Sequence, residues 1–172
     1  MKYYAGIGSR ETPPDILEQM TFIAVQLNLL DYTLRSGGAP GADLAFEEGA
    51  LTEKEIYLPW KGFNNNPSSL YEIPDKAFQI AAQHHPYWKG LKEPIKRLMA
   101  RNVQQVAGKN LDSPSEFVIC WTSDGCTNGK DRTPATGGTG QAISVASWLG
   151  IPVYNLQREM DRQLVDELLE NL

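Results

Sequence analysis

Three short segments carry the residue types from which an anion site is built: Gly6-Ile7-Gly8-Ser9-Arg10, Ser36-Gly37-Gly38-Ala39-Pro40-Gly41-Ala42-Asp43 and Gly137-Gly138-Thr139-Gly140. Glycine lets the backbone come close to a ligand. A helix that begins directly after such a turn aims unpaired N–H groups and the positive end of its dipole at the same point. Phosphate suits that place. Arg10 closes the first segment with a guanidinium able to grip phosphate oxygens in bidentate fashion, the alternative being a surface pair with Glu11 or Asp15. Asp43 closes the second, where it either bonds a ribose hydroxyl or base or caps its own helix. There is no full GxGxxG and no GxxxxGK followed by Ser or Thr, so neither an ordinary dinucleotide fold nor a P-loop NTPase is indicated.

Other side chains compete for roles at the same site. Trp60 and Phe63 can stack on a nucleobase or simply cover the core. Asp124, in an Asp-Gly pair, is a base or sugar contact or an ordinary turn residue. Arg101 and Asn102 share a segment with Lys96 and Arg97, which taken alone reads equally well as a solvated helix face. Thr136, Thr139 and Ser144 bind phosphate or serve as caps. His84-His85 reads as a helix end, because adjacent histidines project apart, and no metal site is expected. GxSxG, HExxH and paired-cysteine patterns are missing, which argues against serine hydrolases and zinc enzymes.

The elements that would position these residues alternate regularly. Apolar runs at Tyr3–Ile7, Thr33–Arg35, Glu55–Pro59, Glu116–Thr122 and Ile151–Leu156 read as strands. Helical spacing or composition marks Ile16–Leu30, Leu44–Leu51, Pro74–His84, Glu93–Ala107, a stretch from Gly137–Gln141 to about Leu149, and Asp161–Leu169. Thr12 is placed to cap the first helix, and the asparagine-rich stretch Trp60–Ser69 reads as a surface loop. Strands joined by helices make a mostly parallel sheet flanked by helices, a Rossmann-like three-layer α/β fold in which the loops after the strands gather along one edge. The glycine segments fall on that edge, so the turns at Gly37 and Gly138 are expected to converge.

Composition sets the frame. A chain of 172 residues with 41% hydrophobic and 22% charged residues fits one domain, 1–172, with its own core. No apolar run is long enough for a signal peptide or a membrane span, so a cytoplasmic protein with two reduced cysteines is expected. The formal charge of −5, from 21 acidic and 16 basic side chains, offers no general attraction to a polyphosphate backbone, which makes nucleic acid an unlikely partner. A small phosphorylated ligand is compatible with that charge, because local N–H groups can hold it.

From Ala5 to about Leu156 the chain resembles the SLOG superfamily of Rossmann-like domains. That group includes the LOG phosphoribohydrolases, the DprA/Smf proteins and molybdenum-cofactor-carrier-like proteins. Gly6–Arg10 looks like the family's first-strand loop, and Ser36–Asp43 is similar to the SGGAxGxD loop of DprA-like members. Arg101 lies where LOG enzymes carry a nucleotide-binding arginine, and Gly137-Gly138-Thr139-Gly140 is similar to their PGGxGT loop. The resemblance implies a nucleotide-like ligand at the carboxyl edge of the sheet, no required cofactor, and a homodimer or higher homo-oligomer. It departs at the catalytic glutamate of PGGxGTxxE, where this chain has Ser144.

The resulting expectation is a binding module whose ligand contacts come from Gly8, Ser9, Arg10, Ser36, Gly37, Gly38, Asp43, Trp60, Arg101, Asn102, Asp124 and Gly137 to Gly140. The alternative is a phosphoribohydrolase or related N-glycosidase that recruits Asp43, Glu47 or Asp124 as its carboxylate. Single-stranded DNA binding of the DprA kind ranks last on charge.

Overall fold

A computed structural model describes residues 1–172. Five strands, β1 (Lys2–Gly6), β2 (Tyr32–Ser36), β3 (Lys54–Ile56), β4 (Val118–Cys120) and β5 (Val153–Asn155), form one sheet in the order β3-β2-β1-β4-β5. Every pairing is parallel. Six helices connect or close them: α1 (Pro14–Leu29), α2 (Ala42–Ala50), α3 (Asp75–His84), α4 (Glu93–Ala107), α5 (Thr139–Trp148) and α6 (Glu159–Asn171). The three-layer Rossmann-like architecture expected from the alternation is the one observed.

The layers follow from the period-two direction of strand side chains. Tyr4, Leu34, Ile56 and Ile119 point to one face, where they pack with Met20, Ile23 and Leu27 of α1, Phe46 of α2 and Val165 of α6. Ala5, Val118 and Cys120 point to the other, against Ala77 and Ile80 of α3, Val103 and Val106 of α4, and Ile143 of α5. Both cysteines are free and buried. No helix is long and apolar enough to cross a membrane.

Strand order decides where a ligand can enter. The chain builds β1, β2 and β3 outward in one direction and then returns to place β4 on the other side of β1. The loops that leave β1 and β4 therefore diverge, and a crevice opens between them. Its backbone frame is set by Ser9 N–H donating to Trp121 O at 3.1 Å.

Two local expectations are corrected. Thr12 does not cap α1, because its hydroxyl donates to Ser9 O at 2.7 Å and Pro13 occupies the cap position without a side-chain bond. The Trp60–Ser69 stretch is not wholly superficial, since Phe63 and Asn66 are buried. The Phe63 ring lies 5.5 Å from the Arg101 guanidinium, and the Asn66 amide donates to Glu47 at 3.0 Å.

Candidate functional site

The crevice at the carboxyl edge has a volume of about 500 Å³. Gly8, Ser9 and Arg10 form one wall, and Gly137, Gly138 and Thr139 at the start of α5 form the other. Leu98, Arg101, Asn102 and Gln105 of α4, together with Asp43 of α2, line its base. Helical spacing brings the four α4 residues onto one face.

Close backbone approach is what assembles the first wall. Gly41 has φ of 87°, and a Cβ there would lie 2.8 Å from both Ser9 O and Arg10 Cα. A side chain at Gly41 would thus drive the Gly8–Arg10 turn away from α2. Arg10 is exposed and enters none of the chain's three ion pairs, so the expected alternative of a pair with Glu11 or Asp15 is not formed.

Adjacent residues of α4 tie the two remaining glycine turns together. Arg101 Nη1 donates to Gly37 O and, at 3.0 Å, to Tyr57 O. Asn102 Nδ2 donates to Gly138 O at 3.1 Å. The turns at Gly37 and Gly138 present carbonyls to Arg101 and Asn102, so side chains stand between them; only Gly138 lines the crevice, and the expected convergence of the two turns on one open pocket is not found. Arg101 is not on a solvated face: it is 4% exposed, and the last nine residues of α4 are all buried.

The Asp43 carboxylate sits at the base. Burial pushes its carboxyl up to about 6, although the Arg101 charge, the Ala39 and Gly8 N–H groups and the Ser36 hydroxyl all work to lower it. Ala39 N–H lies 3.2 Å from Oδ2, whereas the cap position of α2 belongs to Gly41, so Asp43 organises the preceding turn rather than capping its helix. The Ser36 hydroxyl, also 2.6 Å from Gly6 O, stands between that carbonyl and the carboxylate with one proton to share. Burial likewise pulls Arg101 down to about 10, against the attraction of Asp43.

Several expected site residues serve the fold instead. Ser36, Gly37, Gly38, Trp60, Asp124 and Gly140 are not among the lining residues of the crevice. Gly37 has the space that it needs for Arg101, Gln105 and Asp43: a Cβ there would overlap the first two and lie 2.8 Å from Asp43 Oδ2. Gly140 clears room for Arg132, whose Nε would be 2.6 Å from an added Cβ. Trp60 packs edge-on against Phe63 with ring centroids 5.3 Å apart. Asp124 is consumed by its own loop. Thr122 and Thr133 donate to it at 2.8 Å and Thr136 donates as well, and although burial works to raise this carboxyl, these bonds hold it below the usual range. Glu47 faces Lys54, at 3.1 Å, and Asn66, away from the crevice.

Of the three carboxylates considered for hydrolysis, only Asp43 reaches the site. Ser144, at the position of the missing glutamate, neighbours Arg132 Nη1 at 3.4 Å. His84 and His85 line a separate cleft, and no group of three metal-ligating side chains exists. Sequence reasoning missed Gln105, Pro134 and Ala135 as lining residues, whereas Thr136, read as a phosphate contact or a cap, does line the crevice. The signal for Gln105 was available, because Leu98, Arg101, Asn102 and Gln105 recur at helical spacing.

Comparison with known proteins adds a fold-level match. No family model matches the chain, and no curated protein matches it. Among solved structures, DNA processing protein A from Helicobacter pylori, described for its single-stranded DNA binding mode, superposes with a TM-score of 0.59. The match covers 99% of this chain and 81% of that one at 16% identity. At that identity the likeness is one of fold.

It nevertheless overturns the inference that nucleic acid is an unlikely partner, since a protein sharing this fold over nearly the whole chain binds single-stranded DNA. The physical reason is that net charge is an average, whereas binding responds to local potential. Here Arg10 and Arg101 face one crevice whose own carboxylates, Glu11 and Asp43, match them in number, so the chain's net charge of −5 arises outside it.

Proposed function

We propose that the crevice binds the phosphate groups of nucleotides and that single-stranded DNA is the form in which it meets them. The observation that carries this reading is the convergence of the Gly8–Arg10 turn, the α5 N-terminus and the buried Arg101 on one open space of about 500 Å³. The start of α5 and two guanidinium groups favour an anion there, against the charges of Glu11 and Asp43. The fold-level likeness to a single-stranded DNA-binding protein favours a strand over a free mononucleotide.

The test is fluorescence anisotropy with a labelled oligothymidylate at low and high salt, with unlabelled thymidine monophosphate as competitor. Saturable binding that weakens steeply with salt and is competed by the mononucleotide supports the reading. Mononucleotide binding without oligonucleotide binding would restrict the site to small ligands. Absence of both would end the reading.

One observation favours a second activity at the same place. Asp43 is a buried carboxyl poised at about 6, within the range useful for general acid–base work on an N-glycosidic bond. Release of free base from nucleoside monophosphates in excess of protein, abolished in Asp43→Asn, would establish hydrolysis. Intact ligand after prolonged incubation leaves binding alone.

A further inference from the structure

A second cleft of about 650 Å³ adjoins the crevice and shares Pro134 and Gly137 with it. It lies on the far side of the turn that opens α5, between that helix and the C-terminal end of α3. None of its lining residues is hydrophobic and none is a carboxylate; His84, Arg132, Thr133 and Ser144 are among them. The function proposed above gives this cleft no role.

Arg132 is its centre. All the hydrogen bonds that it makes to protein run through Nη1, to His84 O at 3.0 Å, Gln141 Oε1 at 3.2 Å and Ser144 Oγ at 3.4 Å. Nη2 takes part in none of them, and the chain's ion pairs involve other residues. Gly140 leaves the gap into which this side chain fits, as described above. A guanidinium held rigidly by neutral acceptors, with a donor left over and no carboxylate in the cleft, is prepared for an anion supplied from outside.

We propose that this cleft is a second phosphate subsite, which takes a further phosphodiester of a single strand whose first phosphate occupies the crevice. The strand would cross the Pro134–Gly137 turn, common to both spaces. This inference rests on the function proposed above and deepens it by assigning Arg132 to the strand and not to the mononucleotide.

The experiment measures the affinity of thymidine monophosphate and of an oligothymidylate for wild type, Arg132→Gln and Ser144→Asp. The Gln variant removes the charge. The Asp variant leaves Arg132 in place but supplies it with a carboxylate, so a folding defect in the first does not decide the matter; thermal melts accompany both. The expected result is a loss of about tenfold in oligonucleotide affinity in each variant, a salt dependence shallower by roughly one phosphate contact, and unchanged mononucleotide affinity. Equal loss for both ligands, or no loss for the oligonucleotide, overturns the second subsite while leaving the crevice reading intact. If wild type binds neither ligand, both proposals fall together.

Discussion

Two arginines are almost wholly withdrawn from solvent, Arg35 at 2% and Arg101 at 4% exposure, and they differ in what surrounds their charge. Arg35 lies on β2 with Glu55 at 3.5 Å, the Ser113 carbonyl and the Ser115 hydroxyl as acceptors, and the Tyr3 ring 3.8 Å from its guanidinium. Arg101 donates to two carbonyls and to Asn102, and the carboxylate that offsets it, Asp43, stands beyond ion-pair distance beside an open crevice. A buried cation supplied with a carboxylate and closed in by packing fastens the fold. One whose compensation is incomplete next to solvent-filled space attracts an anion.

The sharpest way to break the comparison is to remove the fastener. Arg35→Met leaves the Ser113 carbonyl and the buried Ser115 hydroxyl without their donor and the partly exposed Glu55 without its cation, and denaturant unfolding should show a loss of about 3 kcal/mol. Nucleotide affinity per folded molecule should be unchanged. A binding defect of the kind expected for Arg101 would erase the distinction between the two residues.

The next effect concerns pH at the Asp43 end. Because burial raises this carboxyl from 3.8 to about 6, the folded state holds the proton more tightly than the unfolded chain does. The resulting stabilisation is complete below pH 4 and is lost as pH rises through about 6. Each unit of that window is worth about 1.4 kcal/mol, so the difference in unfolding free energy between wild type and Asp43→Asn should fall by roughly 2 kcal/mol between pH 4 and 7. A flat difference would mean that Asp43 titrates as an ordinary carboxyl.

Arg101→Met should cost about 1–3 kcal/mol, since Gly37 O and Tyr57 O lose their donor, and should weaken nucleotide binding at least tenfold. Arg10→Gln sits at the small end for stability, within about 0.5 kcal/mol of wild type because its side chain is exposed and unpaired. Its effect on binding should still approach tenfold. Together the two variants separate a cation that serves both fold and site from one that serves the site alone.

How much of this was legible in the sequence depended on whether the signal was local. The alternation of strands and helices is carried by periodicity, and Glu93–Ala107 has the same bounds in the sequence reading and in the structure. The glycine turns were legible as turns, but Gly37 and Gly140 proved to make room for Arg101 and Arg132, partners far away along the chain that no local pattern reveals. Asp124 looked like a ligand group because it follows a strand; three threonines distant from or adjacent to it claim its oxygens. Arg35 drew no notice, since a buried arginine inside a strand is recognisable only once Glu55, Ser113 and Tyr3 have been brought around it. The exclusion of nucleic acid failed for a related reason, as whole-chain charge does not say where the positive groups meet.

The central claim is that phosphate is held between the Gly8–Arg10 turn and the start of α5. It is tested most directly by titrating isotope-labelled protein with an oligothymidylate and following the amide resonances by NMR. The account predicts that the largest shifts fall on Gly8, Ser9, Gly138 and Thr139 and that they shrink in Arg10→Gln. Shifts confined to surfaces away from these turns, or none at saturating ligand, would contradict it.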